Sequence, residues 1–244
     1  ATDTYIEKEA TINDQIDKLR LRATADLLTR DDVIVVASVS CIYNIGSPKE
    51  YGNFVIEVTK GRKITTHELM KQLISLQYDR SGFDFKRGSF RVRGESLDVY
   101  PAYDDHGLRI LLEHDTIREI RVFDPVSGVQ REQMETTLIY PSKHYMVAPE
   151  SIASAEEVIR ADLKRESQAL LDKGKLVESE RLIRRVNYDL EMLKEMGYVN
   201  GVENYSRYFD GRKPGDRPYS LLNYFNHRFG DNWTTFIDES HMTI

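Results

Sequence analysis

Apolar residues recur at Ile12, Ile16, Leu19, Ala23 and Leu27, with Asp17, Lys18, Arg20 and Arg22 between them. Spacings of three and four predict one face of an amphipathic helix. Before it, Ala1 to Ala10 is a β-compatible run containing Tyr5, Ile6 and Lys8. After it, Val33-Ile34-Val35-Val36-Ala37-Ser38-Val39 follows Asp31-Asp32 as a continuous, mostly β-branched run. That pattern suits a strand buried on both faces, and a helix leading into such a strand predicts a parallel α/β sheet.

Beyond Gly46-Ser47-Pro48 the elements shorten. Phe54 to Val58 reads as a strand. Thr65-Thr66-His67-Glu68 can cap a helix carrying Leu69, Leu73 and Leu76. In Arg87-Gly88-Ser89-Phe90-Arg91-Val92-Arg93-Gly94 the apolar and basic residues alternate, so a strand would put Phe90 and Val92 on one face and two guanidinium groups on the other. Further strands are predicted at Leu108–Leu112, Ile117–Phe123 and Thr137–Tyr140. Together these predict a small α+β domain inserted between the α/β strand and the end of the chain. From Pro149 helical spacing takes over. Ile152, Ala155, Ile159, Leu163 and Leu170 mark one helix. Leu176, Leu182, Ile183, Val186, Leu190, Leu193 and Met196 mark a second, with a break at Gly174 and a stop at Gly197. The two predict an antiparallel pair. Gly201 to Pro218 is a Gly/Pro/Tyr/Arg-rich loop, and Ser220 caps a last short helix through Phe225. Trp233-Thr234-Thr235-Phe236-Ile237 then reads as a short strand running into Asp238-Glu239.

With 244 residues and 40% hydrophobic residues the chain can build more than one packed core. No apolar run reaches the roughly 18–20 residues of a membrane span, and no basic-then-apolar leader opens it, so a cytoplasmic setting without a membrane partner is expected. The single cysteine, Cys41, excludes an intramolecular disulfide and a multi-cysteine zinc site. A net charge of -6 argues against coating nucleic acid by bulk positive charge. Because it opens on Ala1 and ends just after the acidic pair, the chain reads as a piece of a longer protein.

Three features carry candidate chemistry. An apolar strand ending in Asp238-Glu239 could hold a Mg²⁺-bound water and orient an attacking one, as a nucleoside-triphosphate hydrolase requires; an ordinary acidic turn is the other reading. The phosphate cradle Gly-x-x-x-x-Gly-Lys-Ser/Thr is missing, and Gly174-Lys175 lies within helical periodicity. Arg87, Arg91 and Arg93, with Arg80 nearby, could form a face for carboxylates or phosphates, or simply keep an edge strand soluble. Tyr5, Lys8 and Arg20 combine an aromatic ring with cations, as single-stranded nucleic acid requires, or are a packed tyrosine and two solvated charges.

Several stretches taken in order resemble the UvrB family of excision-repair proteins. They are Tyr5-Ile6-Glu7-Lys8, Val33 to Tyr43, Arg87 to Gly94, Tyr188-Asp189-Leu190-Glu191-Met192, Gly201-Val202-Glu203-Asn204-Tyr205-Ser206-Arg207 and Asp238-Glu239-Ser240-His241. The resemblance implies an α/β chain with part of a RecA-like P-loop motor domain, an inserted α+β domain that binds UvrA, and a helical subdomain. It implies residues 1–17 as the returning half of a DNA-inserting β-hairpin, 18–50 as motor domain, 51–148 as the insertion, 149–228 as helical domain 1b and 229–244 as the Walker B strand. Asp238 and Glu239 would be catalytic, with Asp238 on the Mg²⁺ side through water, and His241 would couple nucleotide state to DNA. Tyr5, Lys8 and Arg20 would contact DNA, and Arg80, Arg91, Arg93 and Arg109 would contact UvrA. The full-length protein would be an ATPase using ATP and Mg²⁺, loaded onto damaged DNA by UvrA and recruiting UvrC. This stretch, without its Walker A loop, would bind neither cofactor and be inactive alone.

The alternative is a non-catalytic UvrA-binding module, similar to the one in the transcription–repair coupling factor. Three departures from the family pattern stand out. Asn44 replaces a usual Gly, Asn226 to Asn232 is unusually polar, and Leu111 stands near a usual acidic residue, which removes the expected acid beside Arg109.

Overall fold

The computed structural model describes residues 13–242. They pack as two compact units. One joins the described residues up to Val35 with Ile56–Lys143, and the other joins Val36–Val55 with the described residues from His144 onward.

The first unit begins with α1 (Asp14–Thr29). Asn13 caps it, its side chain accepting from the N–H groups of Gln15 and Ile16. Leu27 is buried as expected, but the face it shares is that of Leu21 and Ala25, while Ile16 and Leu19 of the predicted stripe are 47% and 56% exposed, so the buried face is rotated from the predicted one. The buried side of α1 is also tied down by charge, Lys18 itself being buried. Lys18 reaches Asp105 at 2.7 Å and Arg22 reaches Asp104 at 2.7 Å. A two-stranded antiparallel ribbon follows, β1 (Ile56–Thr59) with β8 (Thr136–Ile139). Between them lies α3 (Thr66–Ser75), whose N-terminus carries the full capping box of Thr65 and Glu68. A six-stranded sheet runs in the order β2 (Asp79–Arg80), β3 (Ser89–Arg93), β4 (Ser96–Tyr100), β5 (Gly107–Glu113), β6 (Thr116–Phe123) and β7 (Gln130–Met134). All neighbours are antiparallel except β2 and β3. Register puts Phe90, Leu97, Val99, Leu108, Ile110 and Ile120 on one face, and all six are buried. The strands predicted from alternation are therefore present.

Two tight turns fix the registers that matter below. Gly94 (φ +58°) turns β3 into β4 with Glu95, leaving Arg93 opposite Ser96. His114 (φ +50°) and Asp115 (φ +55°) turn β5 into β6, leaving Glu113 opposite Thr116. Left-handed backbone at both His114 and Asp115, and at the first central residue Gly94 of the other turn, matches the twist of two-residue hairpins.

The second unit is helical: α2 (Pro48–Asn53), α4 (Pro149–Asp172), α5 (Leu176–Met196), α6 (Ser206–Phe209) and α7 (Leu221–Phe229). The predicted antiparallel pair is α4 and α5. Gly174 at φ +73° makes the joint, and Gly197 at φ +68° ends α5 in the left-handed conformation. Ile152, Leu193, Val199 and Val202 form one apolar core, and Ala155, Ile159, Val186 and Leu190 another. Asn44 takes φ +60°, a conformation Gly adopts freely and Asn tolerates better than most residues, so this departure keeps the turn. Among the described residues no helix is long and apolar enough to cross a membrane.

Two expected strands are not strands. Residues 33–38 have no regular secondary structure and pair in neither sheet, with Ile34 92% and Val36 97% exposed. Residues 233–237 likewise form no strand, and Phe236 is 92% exposed. A strand needs a neighbour for its backbone groups, and among the described residues neither run has one. The parallel sheet of a RecA-like motor is thus not present among the described residues.

Carboxylates hold α4 against the rest of the helical unit. Glu156 accepts from Lys194 and Arg160, each at 2.8 Å, and Asp162 accepts from the Tyr208 hydroxyl at 2.9 Å, with Arg165 and Arg207 beside it. Hydrogen bonding to Lys194 holds Glu156 below its ordinary pKa of 4.5, and the Tyr208 hydroxyl holds Asp162 below 3.8. A carboxylate depressed on folding adds stability that is fully present above its ordinary pKa and disappears as pH falls through the folded value. The melting temperature of this unit should therefore be flat above about pH 5 and fall from about pH 4 downward. Glu156→Gln combined with Asp162→Asn should flatten that fall; an unchanged acid limb would contradict the assignment.

Candidate partner-docking face

The face of the six-stranded sheet opposite the apolar one is charged. Register aligns Arg91 with Asp98, Asp98 with Arg109, Arg109 with Arg121, and Arg121 with Gln133. One row of side chains thus crosses β3 to β7. With neighbouring strands ~4.8 Å apart, its four steps span about 19 Å.

At its centre Asp98 is 1% exposed. Arg109 meets it as a fork, Nε donating to Oδ1 at 2.7 Å and Nη2 to Oδ2 at 2.9 Å. From the other side Arg91 brings Nε to Oδ2 at 3.1 Å and Nη2 at 3.0 Å. Neither Nη1 takes part in these bonds. Two aromatic rings complete the arrangement. The Arg91 guanidinium lies 4.0 Å from the centre of the Phe85 ring and that of Arg109 lies 4.8 Å from Phe123. The two rings stack on each other, 6.2 Å apart and 7° from parallel. Gly107 makes room for Phe123, since a Cβ there would lie 2.6 Å from its ring. Arg121 is held separately, by Glu119 and by Gln130 Oε1 at 2.9 Å. Two arginines directly opposite each other on a sheet repel. Arg109 and Arg121 are opposite, each kept in place by its own acceptors. Hydrogen bonding to Asp98 raises the Arg109 pKa further above its ordinary value, so its charge is fixed at every relevant pH.

Of the four arginines expected to contact a partner, Arg91, Arg93 and Arg109 share this face. Arg80 does not join the row. It is exposed on β2, in register with Phe90. β2 covers β3 only at Ser89 and Phe90, so the stretch from Arg91 to Arg93 is paired with β4 alone. Leu111 leaves no acid at the family's usual position, and within the chain Arg109 pairs instead with Asp98 on the neighbouring strand. Sequence reasoning passed over Asp98, Phe85 and Arg121. Alternation in Ser96-Leu97-Asp98-Val99-Tyr100 was the available signal, since it puts Asp98 on the face opposite Leu97 and Val99.

Elsewhere, Tyr5 and Lys8 lie outside the described residues, and Arg20 sits half-buried on α1. Asp238, Glu239 and His241 are exposed. Instead of ending a strand, Asp238 and Glu239 form a turn in which the Asp238 carboxylate accepts from the Glu239 N–H at 2.9 Å and Glu239 has φ +46°. No group of three or more His, Cys, Asp or Glu side chains among the described residues could hold a metal. Two adjacent carboxylates with no phosphate loop do not build a nucleotide site by themselves.

The described residues thus comprise a sheet unit with a charged, pre-ordered face and a separate helical unit. Residues 56–145 match the UvrB interaction domain and residues 150–211 the UvrB third helical domain. Along its whole length the chain is 44% identical to the UvrABC system protein B of Leptospira biflexa serovar Patoc, of which it covers 36%. It is 46% identical to that of Lactococcus lactis subsp. lactis, covering 35%, and 46% identical to that of Streptococcus agalactiae serotype V, covering 36%. The chain belongs to the UvrB family, and it spans about a third of the length of these curated relatives.

Proposed function

We propose that this chain is the part of an excision-repair damage-verifying subunit that docks on UvrA, and that the docking surface is the arginine row of the six-stranded sheet. The observation that carries this reading is the pairing of Arg91 and Arg109 on one buried carboxylate, within residues that match the UvrB interaction domain. Guanidinium forks suit partner carboxylates, and the row fits an acidic surface on UvrA. In this reading Arg91, Arg93, Arg109 and Arg121 contact the partner and Arg80 contributes from the edge strand.

The whole protein, about three times as long, would bind ATP and Mg²⁺, receive damaged DNA from UvrA in the cytoplasm and recruit UvrC. Residues 33–39 and 233–237 would then be strands of a RecA-like sheet completed by the rest of that protein, which accounts for their exposed apolar side chains. Asp238 and Glu239 would supply the metal side of its ATP site and His241 the link to DNA. Tyr5, Lys8 and Arg20 would contact the DNA strand.

A titration of this 244-residue chain against purified UvrA tests the docking reading. Binding should be saturable and should weaken at least tenfold between about 0.05 and 0.3 M salt, because charge-steered association is screened over about 10 Å or less. Binding indifferent to salt, or none at low salt, would count against it.

A further inference from the structure

Resting on that reading, we infer that Asp98 is the positioning residue of the docking face: its buried carboxylate aims the Arg91 and Arg109 guanidinium groups at the partner. The simpler view is that Asp98 neutralises two arginines and lowers the charge available to an acidic partner. The geometry favours positioning. Asp98 accepts from the Nε and Nη2 of both arginines, so each guanidinium is gripped along one edge and its Nη1 is left for another acceptor. The same two guanidinium groups sit over the Phe85 and Phe123 rings, 4.0 and 4.8 Å from their centres, so each is held by a ring as well as along its edge. The side chains of Arg91 and Arg109 are only 16% and 24% exposed, which leaves little freedom to lose on binding. Arg ordinarily carries about 2 kcal/mol of rotamer entropy, and side chains fixed before association avoid much of that loss. Arg91 and Arg109 come from the strands on either side of β4 and converge on the same Asp98 oxygen, at 3.0 and 2.9 Å. The partner chemistry this fits is a pair of neighbouring carboxylates on a rigid surface.

The two views predict opposite signs. Asp98→Asn makes the face more positive by one charge, so plain neutralisation predicts equal or tighter binding to UvrA. Positioning predicts at least tenfold weaker binding, with the loss in the dissociation rate while the association rate holds or rises. Arg91→Lys and Arg109→Lys keep the charge and the pairing but lose the fork, and should weaken binding in the same way. These variants also cover the case in which Asp98→Asn fails to fold, which circular dichroism and thermal melting would reveal. If the unaltered chain binds UvrA and the folded variants bind as tightly as it does, positioning is overturned and the docking reading survives. If the unaltered chain does not bind, the docking reading falls and this inference with it.

Discussion

Replacing Arg91 and Arg109 together by alanine is expected to destabilise the sheet unit by about 3–5 kcal/mol, because it strands a buried, ionised carboxylate. Asp98 is 1% exposed and its carboxylate accepts from both of these side chains. Removing one arginine leaves the other, so each single variant should cost distinctly less than the pair. The pair should also release Phe85 and Phe123, over whose rings the guanidinium groups sit. Adding Asp98→Leu to the double variant should restore most of the stability, since an apolar residue of similar size carries no desolvation penalty. Urea unfolding followed by far-ultraviolet circular dichroism measures this. The only tryptophan, Trp233, stacks on Phe225 in the helical unit and would report on the wrong transition. A double variant as stable as the parent would contradict this account of Asp98.

The second large effect concerns binding. Arg93→Glu combined with Arg121→Gln should weaken UvrA binding by about 100-fold, close to 3 kcal/mol, while leaving the melting temperature nearly unchanged. Neither side chain holds Asp98. Arg93 is exposed at the end of β3, and Arg121 is paired at the surface with Glu119 and Gln130. Glutamine at 121 can still bond Gln130, so the sheet keeps its pairing. A glutamate at 93 would set like charge against an acidic partner, which costs several kcal/mol at a closed interface. Separating the folding arginines from the exposed ones in this way distinguishes a lost surface from a lost domain.

Local patterns carried most of the fold. The capping box at Thr65, the joint at Gly174, the stop at Gly197 and the alternation along β5 and β6 each follow from the chain's own neighbours. Longer-range partners were less visible. The run from Val33 to Val39 has the composition of a buried strand, but burial depends on what lies alongside it, and periodicity within the run does not report that. The helix at Pro48–Asn53 was read only as punctuation, because six residues are too few to show a period. The docking face was half legible for the same reason. Alternation revealed the arginines of β3, which are adjacent in sequence. Asp98 and Arg121 join them only through register, and register was fixed by the turns at Gly94 and at His114-Asp115.

The most direct test of the docking face is the dissociation constant of the Arg93→Glu, Arg121→Gln chain for UvrA, measured by calorimetry beside the unaltered chain at one ionic strength. A loss of about 100-fold with an unchanged melting temperature is the predicted result. Equal affinity in the two chains would contradict the claim that UvrA docks on this row of the sheet.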